Sequence, residues 1–387
     1  MKQLNLFFKL FIFLLLFFPS SLIGQNKKYR KINRNIIEKY LINNAQIDNL
    51  KKGKFSKAAD ITTYLPINHS KKGNVDYTKY LQKGLDNNLA VIMPNFPILI
   101  DPNGLRVKSN SQILFQNNSK LIITPNDKES YNGIVIDNVE NVQLYYPKIE
   151  GDKHKHYGKK GEWGMGILIW HSKNIYIYNP IITKHWGDGI YIGNNNNIIS
   201  ENIVIENGFI DDNRRNGISI IAGKDIVIKN TFISNTSGTA PEAGLDIEPN
   251  KNSDVIENIQ ISNLITYNNN TSGLLIALDN LPGKLPSSPS IKIEDHFDFY
   301  STVGMDVYID RDYTKHSNKN LTGNIYVKNS KYYFNPKAAF RNNSSKPNRI
   351  NFSLDGITIT NKRRTKHFGN IQDVKKFVSE GRKVTYK

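Results

Sequence analysis

From Gly133 onward, short runs of alternating apolar and polar residues recur, each opened by a glycine: GIVI at 133, GILI at 166, GIYI at 189, GISI at 217, GLDI at 244, GLLI at 273 and GMDV at 304. Successive glycines lie 33, 23, 28, 27, 29 and 31 residues apart. A second column travels with the first: NVQL at 141, NIYI at 174, NIVI at 202, DIVI at 225, NIQI at 258, SIKI at 290 and NIYV at 324. Period-two alternation bounded by Asn, Gly, Asp and Ser predicts short strands separated by turns. Units of this length, each with an apolar edge to bury against the next, predict a solenoid. No helical pattern intervenes between the strands, so the expected form is an all-β, single-chain parallel β-helix. A β-sandwich is the competing reading, but it needs tight hairpin turns, whose signals are scarce here. Asn-rich turns such as 194–197 suit a stack, because Asn accepts left-handed backbone and can bond from coil to coil.

The ends read differently. Residues 76–88 place Tyr77, Tyr80, Leu81 and Leu85 at helical spacing, and a helix there would cap the first coil. Residues 89–125 read as irregular initial coils, and 370–384 as a second amphipathic cap. The opening MKQLNLFFKLFIFLLLFFPSSLIGQ has the layout of a secretory signal peptide, with small residues near Gly24. Its apolar core, Phe11 to Phe18, is short for a bilayer span, so no integral membrane segment is expected once it is removed. The expected organisation is a signal peptide over 1–24, an N-terminal extension over 25–56, a β-helix over 57–360, and a basic C-terminal segment with a capping helix over 361–387.

Charge and cysteine content narrow the partners. The formal charge is +18, and removing Lys2 and Lys9 leaves +16. There is no cysteine, hence neither a disulfide framework nor a lipid-attachment thiol. A basic, exported, cysteine-free chain suits a periplasmic or secreted protein that meets something anionic, with an acidic polysaccharide or a membrane surface the candidates. No nucleic-acid motif is recognisable, so no nucleic-acid partner is expected. The alternative to any specific anionic partner is a surface of simply solvated lysines.

EAGLDIEP, at 242–249, puts Asp246 and Glu248 in a strand, a place acids tend to avoid. Strand parity turns both outward, about 7 Å apart. Carboxylates separated by roughly 6.5 to 9.5 Å can act as general acid and base in an inverting glycosidase. The competing reading is a pair of salt bridges to Arg214 and Arg215 one coil earlier. Asp188, before Gly189, is a third carboxylate, with turn formation as its alternative. Trp163, Trp186 and Tyr191 are candidate sugar platforms, or covers for the core. Arg214 and Arg215 could hold substrate anions bidentately, or pair with Asp211 and Asp212. Lys184 and His185 lie at the same strand entry, and His185 is the histidine expected to titrate usefully. No zinc spacing occurs; Asp188, Asp246 and Glu248 are the residues that would hold calcium.

With these residues in view, the repeat over about 57–360 resembles the pectate-lyase-like right-handed parallel β-helix superfamily. WGMGI, WGDGIYIG, RRNGISI and AGLDIEPN look like exported bacterial β-helix proteins of that kind. The resemblance implies three-sheet coils with a substrate groove outside one sheet, and glycan lyases, hydrolases, epimerases and phage tailspikes as relatives. Polygalacturonases share an acid before the strand glycine, here Asp188, but their paired aspartates would fall on Arg215 and Asn216, and their Arg-x-Lys motif is missing. The Asp-Pro-His motif of alginate epimerases is missing too. The expected function is therefore polysaccharide cleavage, with hydrolysis by Asp246, Glu248 and Asp188 ahead of β-elimination by Arg215, Lys184, His185 or Tyr191. A non-catalytic glycan-binding or adhesion solenoid is the third reading.

Overall fold

The structure is a computed structural model that describes residues 28–309, 321–342, 349–361 and 364–367. The expected signal peptide and the expected helix at 370–384 lie outside the described residues. Among the described residues, no helix is long and apolar enough to cross a membrane.

The glycine-led strands stack in parallel register as one nine-stranded face, which also takes in Leu105–Arg106 and Ala338–Asn342. Ile134, Ile167, Ile190, Ile218, Leu245, Leu274 and Met305 form a single row along it. All seven are buried in the interior, each contributing about 1.5 to 3 kcal/mol of apolar burial. The second column forms another face, with Val142, Ile175, Ile203, Ile226, Ile259, Ile291 and Ile325 in register.

Why glycine opens each strand is visible in the stack. A Cβ on Gly133, Gly166, Gly189, Gly217, Gly244 or Gly273 would fall 2.5 to 2.7 Å from the carbonyl oxygen of the corresponding glycine one coil on. Close approach, not unusual torsion, excludes a side chain. Gly217→Ala is a sharp case, because its Cβ would also meet Ile233 at 2.2 Å. Its thermal midpoint should fall, by about 1 to 3 kcal/mol of overpacking; a wild-type midpoint would refute the close-approach explanation.

A third face completes each coil, built from Lys148–Glu150, Ile181–Thr183, Phe209–Asp211, the ends of the long strands Gly223–Ser234, Ile256–Tyr267 and Ser290–Phe299, then Lys331–Tyr333 and Thr358–Asn361. A helix at Thr78–Asn87 closes the first coil, with Leu81 and Leu85 in the core as expected. Residues 89–125 differ from expectation: Ala90–Ile92, Pro97–Ile100, Gln112–Leu114 and Lys120–Ile123 are regular, in-register strands. The chain from 28 to 56 also holds regular elements, among them a helix at Asn44–Lys52 closed by an Asn43–Gln46 capping box.

Asparagine ladders run along the corners, but not through 194–197. Left-handed Asn141, Asn174 and Asn202 donate in turn to Asn110, Asn141 and Asn174 at 3.0, 2.9 and 2.7 Å. Residues 28–40 lie as a strap over the third face, where Ile32, Ile36 and Tyr40 pack on Phe209, Phe232 and Ile265. Tyr29 donates to Asp211, the Arg30 amide to Asn235, and Asn268 to the Lys28 carbonyl, at 3.1, 3.0 and 3.1 Å.

Candidate functional site

On the nine-stranded face, Asp246 stands in the outward row between Ser219 and Leu275, with Tyr191 one strand beyond Ser219. It turns away from the core, as parity requires, yet it is 0% exposed. The expected solvent exposure of Asp246 is therefore corrected: neighbouring polar side chains enclose it. Asn216 Nδ2 donates to Asp246 Oδ2 at 2.9 Å and to Ser219 Oγ at 3.0 Å, while Asn216 Oδ1 accepts from the Ala243 amide at 2.9 Å. Asp188, likewise buried, accepts from the Asn216 amide at 2.9 Å, Ser219 Oγ at 2.8 Å and Arg215 Nη1 at 3.0 Å. One network thus ties three successive coils, with Asn216 at its centre.

Glu248 follows the last strand residue, Ile247, and keeps 23% side-chain exposure. Its backbone stays in the stack, the Glu248 amide donating to the Ile220 carbonyl at 3.1 Å, and its charge lies close enough to act on Asp246. Burial, then the charge of Glu248, push the Asp246 carboxyl well above the usual range, against the pull of Arg215. Asp246 Oδ1 has no donor from any other side chain or amide. A proton on Asp246 fits both facts, since an unpaired buried carboxylate oxygen is costly and adjacent like charges resist double ionisation.

Burial also raises Asp188, with Arg215, Ser219 and Asn216 working the other way. For Arg215, burial opposes the charge, but Asp188, Asp246, Glu248 and Glu162 more than offset it, so the guanidinium is held cationic. Arg215 reaches Glu162 at 3.5 Å and Glu248 at 3.9 Å. Glu162 is 38% exposed and Trp163, beside it, 48%. Tyr191 packs with Val135, Met165 and Leu168, and burial followed by the Asp188 charge raises its phenol.

Four expected participants stand elsewhere. The Trp186 ring has His156 stacked on it at 3.9 Å and the Arg214 guanidinium over it at 3.8 Å, so neither face is free for a sugar. Arg214 also donates to the Gly161 carbonyl at 2.8 Å and the Trp186 carbonyl at 3.3 Å, which spends it on anchoring the 153–163 loop. His185 is fully buried, and burial drives it down to about 3, so it stays neutral at working pH. Lys184 takes a left-handed corner and points its ammonium toward Glu150 at 3.6 Å, on the third face.

Asn216 and Ser219 carry no motif and were missed. Aligning the residue before each strand glycine would have found Asn216 beneath Asp188, since that column reads Asp188, Asn216, Ala243. As calcium ligands, Asp188, Asp246 and Glu248 do not fit. Both Asp188 oxygens and one Asp246 oxygen already accept hydrogen bonds, and no group of three metal-ligating side chains occurs among the described residues.

Comparison with known proteins bears on the architecture. The family described as right handed beta helix region matches residues 98–259. A solved iota-carrageenase complexed to iota-carrageenan fragments is 10% identical with a TM-score of 0.58, over 85% of this chain and 91% of that one. The mannuronan C-5 epimerase AlgE6 A-module of Azotobacter vinelandii is 12% identical with a TM-score of 0.51, over 85% and 99%. The SPbeta prophage-derived uncharacterized protein YorA of Bacillus subtilis (strain 168) is 27% identical over 141 residues, 30% of this chain and 24% of that protein, so the likeness spans about a quarter of its length. At these identities the solved structures speak to fold, and they include polysaccharide-active enzymes. Coil register, the family match over 98–259 and structural likeness together show a right-handed parallel β-helix fold.

Proposed function

We propose that the protein is an exported carbohydrate-active enzyme that hydrolyses glycosidic bonds of an acidic polysaccharide at the Asp246–Glu248–Arg215 cluster. What supports this reading is the grouping around Arg215 of the buried Asp246 with the more accessible carboxylates of Glu248 and Glu162, beside an exposed indole, Trp163. Glu248, the accessible member, passes the Asp246 proton to the glycosidic oxygen as the bond to the anomeric carbon breaks. A water oxygen bonds that carbon, and Glu162 takes the water proton. Asp246 holds the proton for Glu248, Arg215 fixes Glu248 and Glu162, and Asp188, Asn216 and Ser219 position Arg215 and Asp246. β-Elimination is less well supported, because His185 and Lys184 stand away from the cluster, while Arg215 and Tyr191 are held protonated.

Incubation with a panel of uronic and sulfated glycans should release reducing ends without ultraviolet absorbance. An unsaturated, absorbing product would overturn hydrolysis in favour of elimination, and an unshortened panel would favour a binding solenoid. The two tryptophans make a separate test. Trp163→Ala should weaken glycan binding by about 1 to 3 kcal/mol with an unchanged thermal midpoint, as for loss of an exposed stacking platform. Trp186→Ala should instead lower the midpoint, because it removes the ring between His156 and Arg214. Calorimetry and equilibrium binding on both variants read the difference, and the reverse pattern would reassign the platform.

A further inference from the structure

One guanidinium faces four carboxyl groups in the cluster: Arg215 meets Asp188, Glu162 and Glu248 directly and feels the charge of Asp246. Arg214 adds a second cation near Glu162 while it covers Trp186 and donates to two carbonyls. Even with one proton on Asp246, the three remaining carboxylates outnumber the two guanidiniums. A uronate or sulfate placed against Glu248 and Glu162 would meet like charge at short range.

The same loop that supplies Glu162 and Trp163 carries exposed cations. Lys155, Lys159 and Lys160 are all exposed, and the loop is pinned by Trp186 Nε1 donating to the Lys160 carbonyl at 3.2 Å and by Arg214 donating to that of Gly161. An anionic pocket and a cationic rim thus lie within a few residues of each other.

We propose that the sugar whose linkage is broken is uncharged and that its neighbour in the polymer carries the anion, so that the substrate alternates neutral and acidic units. The inference rests on the hydrolytic reading for the word "broken", but its charge requirement concerns binding alone. The uncharged unit sits against Glu248 and Glu162 with its apolar face on Trp163, and the anionic unit lies on the Lys155, Lys159 and Lys160 rim.

The test is equilibrium binding in the cold, at physiological salt, of two tetrasaccharides: one entirely of uronate, and one in which uronate alternates with an uncharged N-acetylated sugar. The full mature protein is compared with Glu162→Gln and with a variant carrying Lys155→Gln, Lys159→Gln and Lys160→Gln. Wild type should bind the alternating tetrasaccharide roughly tenfold more tightly than the all-uronate one, a gap expected from like-charge repulsion at the pocket. Glu162→Gln should narrow that gap by gaining affinity for the all-uronate probe, and the lysine variant should lose the alternating one. Equal wild-type affinities, or no gain in Glu162→Gln, overturns the proposal, as does a failure to bind either probe. Warming the wild-type mixtures separates the two readings. A bound alternating probe that is never cut sinks hydrolysis and leaves the charge pattern standing, whereas new reducing ends that are uronates sink the charge pattern and leave hydrolysis standing.

Discussion

Glu248→Gln should lower kcat/KM for glycan cleavage by about 10²- to 10⁴-fold, the usual contribution of a positioned general acid, with the thermal midpoint nearly unchanged. The amide fills the same volume and adds a donor near an Asp246 oxygen that no other side chain or amide satisfies. Loss of activity should therefore come without loss of structure. Asp246→Asn supplies the diagnostic contrast. Cleavage needs the pair's proton, so wild-type activity falls on the alkaline side as that proton leaves. Without the buried carboxylate to retain it, the alkaline limb of the pH–rate profile should move to lower pH. A Glu248→Gln variant with full activity, or an Asp246→Asn profile that keeps the wild-type limb, would remove the pair from the chemistry.

Acid should weaken the fold through two histidines that face the interior. His185 lies near the Tyr131 ring, and His296 bonds Thr266 Oγ1 at 2.8 Å with its ring edge-on to Tyr332. Burial lowers each from 6.5 to about 3, so each favours the folded state only while neutral. That stabilisation is complete above the unfolded value and is lost as pH falls from 6.5 toward 3. Between pH 7 and 5 each should cost about 2 kcal/mol by linkage. Asp211 works in the opposite direction: burial raises it from 3.8 to about 6, so it disfavours the fold above that value and stops doing so as acid protonates it. Buried Asp188 and Asp246, both raised, have the same sign. The histidine contribution is isolated by comparing denaturation midpoints of wild type, His185→Leu and His296→Leu across pH 7 to 5. Each variant should lose less stability than wild type on acidification; parallel curves would mean that neither ring is held neutral by the core.

Two of the three faces were legible because their rows alternate cleanly. Ile190, Ile218 and Leu245 face oil while Tyr191, Ser219 and Asp246 do not, and the glycine column marks where coils touch. The third face escaped because its outer side is also covered: Phe209, Phe232, Ile265 and Phe299 lie beneath the strap, which erases the polar half of the alternation. At the site, parity turned Asp246 away from the core. It could not foresee that Asn216 would bond the carboxyl, since that depends on a connecting residue of the adjacent coil. The aromatic assignments divided on the same ground. Trp163 and Trp186 sit in equivalent GEWGMG and KHWGDG contexts, but only the second has an arginine from the next coil and a histidine from the 153–163 loop on its two faces.

The strap has a topological consequence. Stacked coils talk only to their nearest neighbours, which lets such arrays fray from an end one unit at a time. Here contacts spanning 182, 205 and 240 positions of sequence fasten the start of the described chain to corners well along the array. The coils between are thereby enclosed in a loop, and their unravelling is coupled in a way that a simple zipper would not allow.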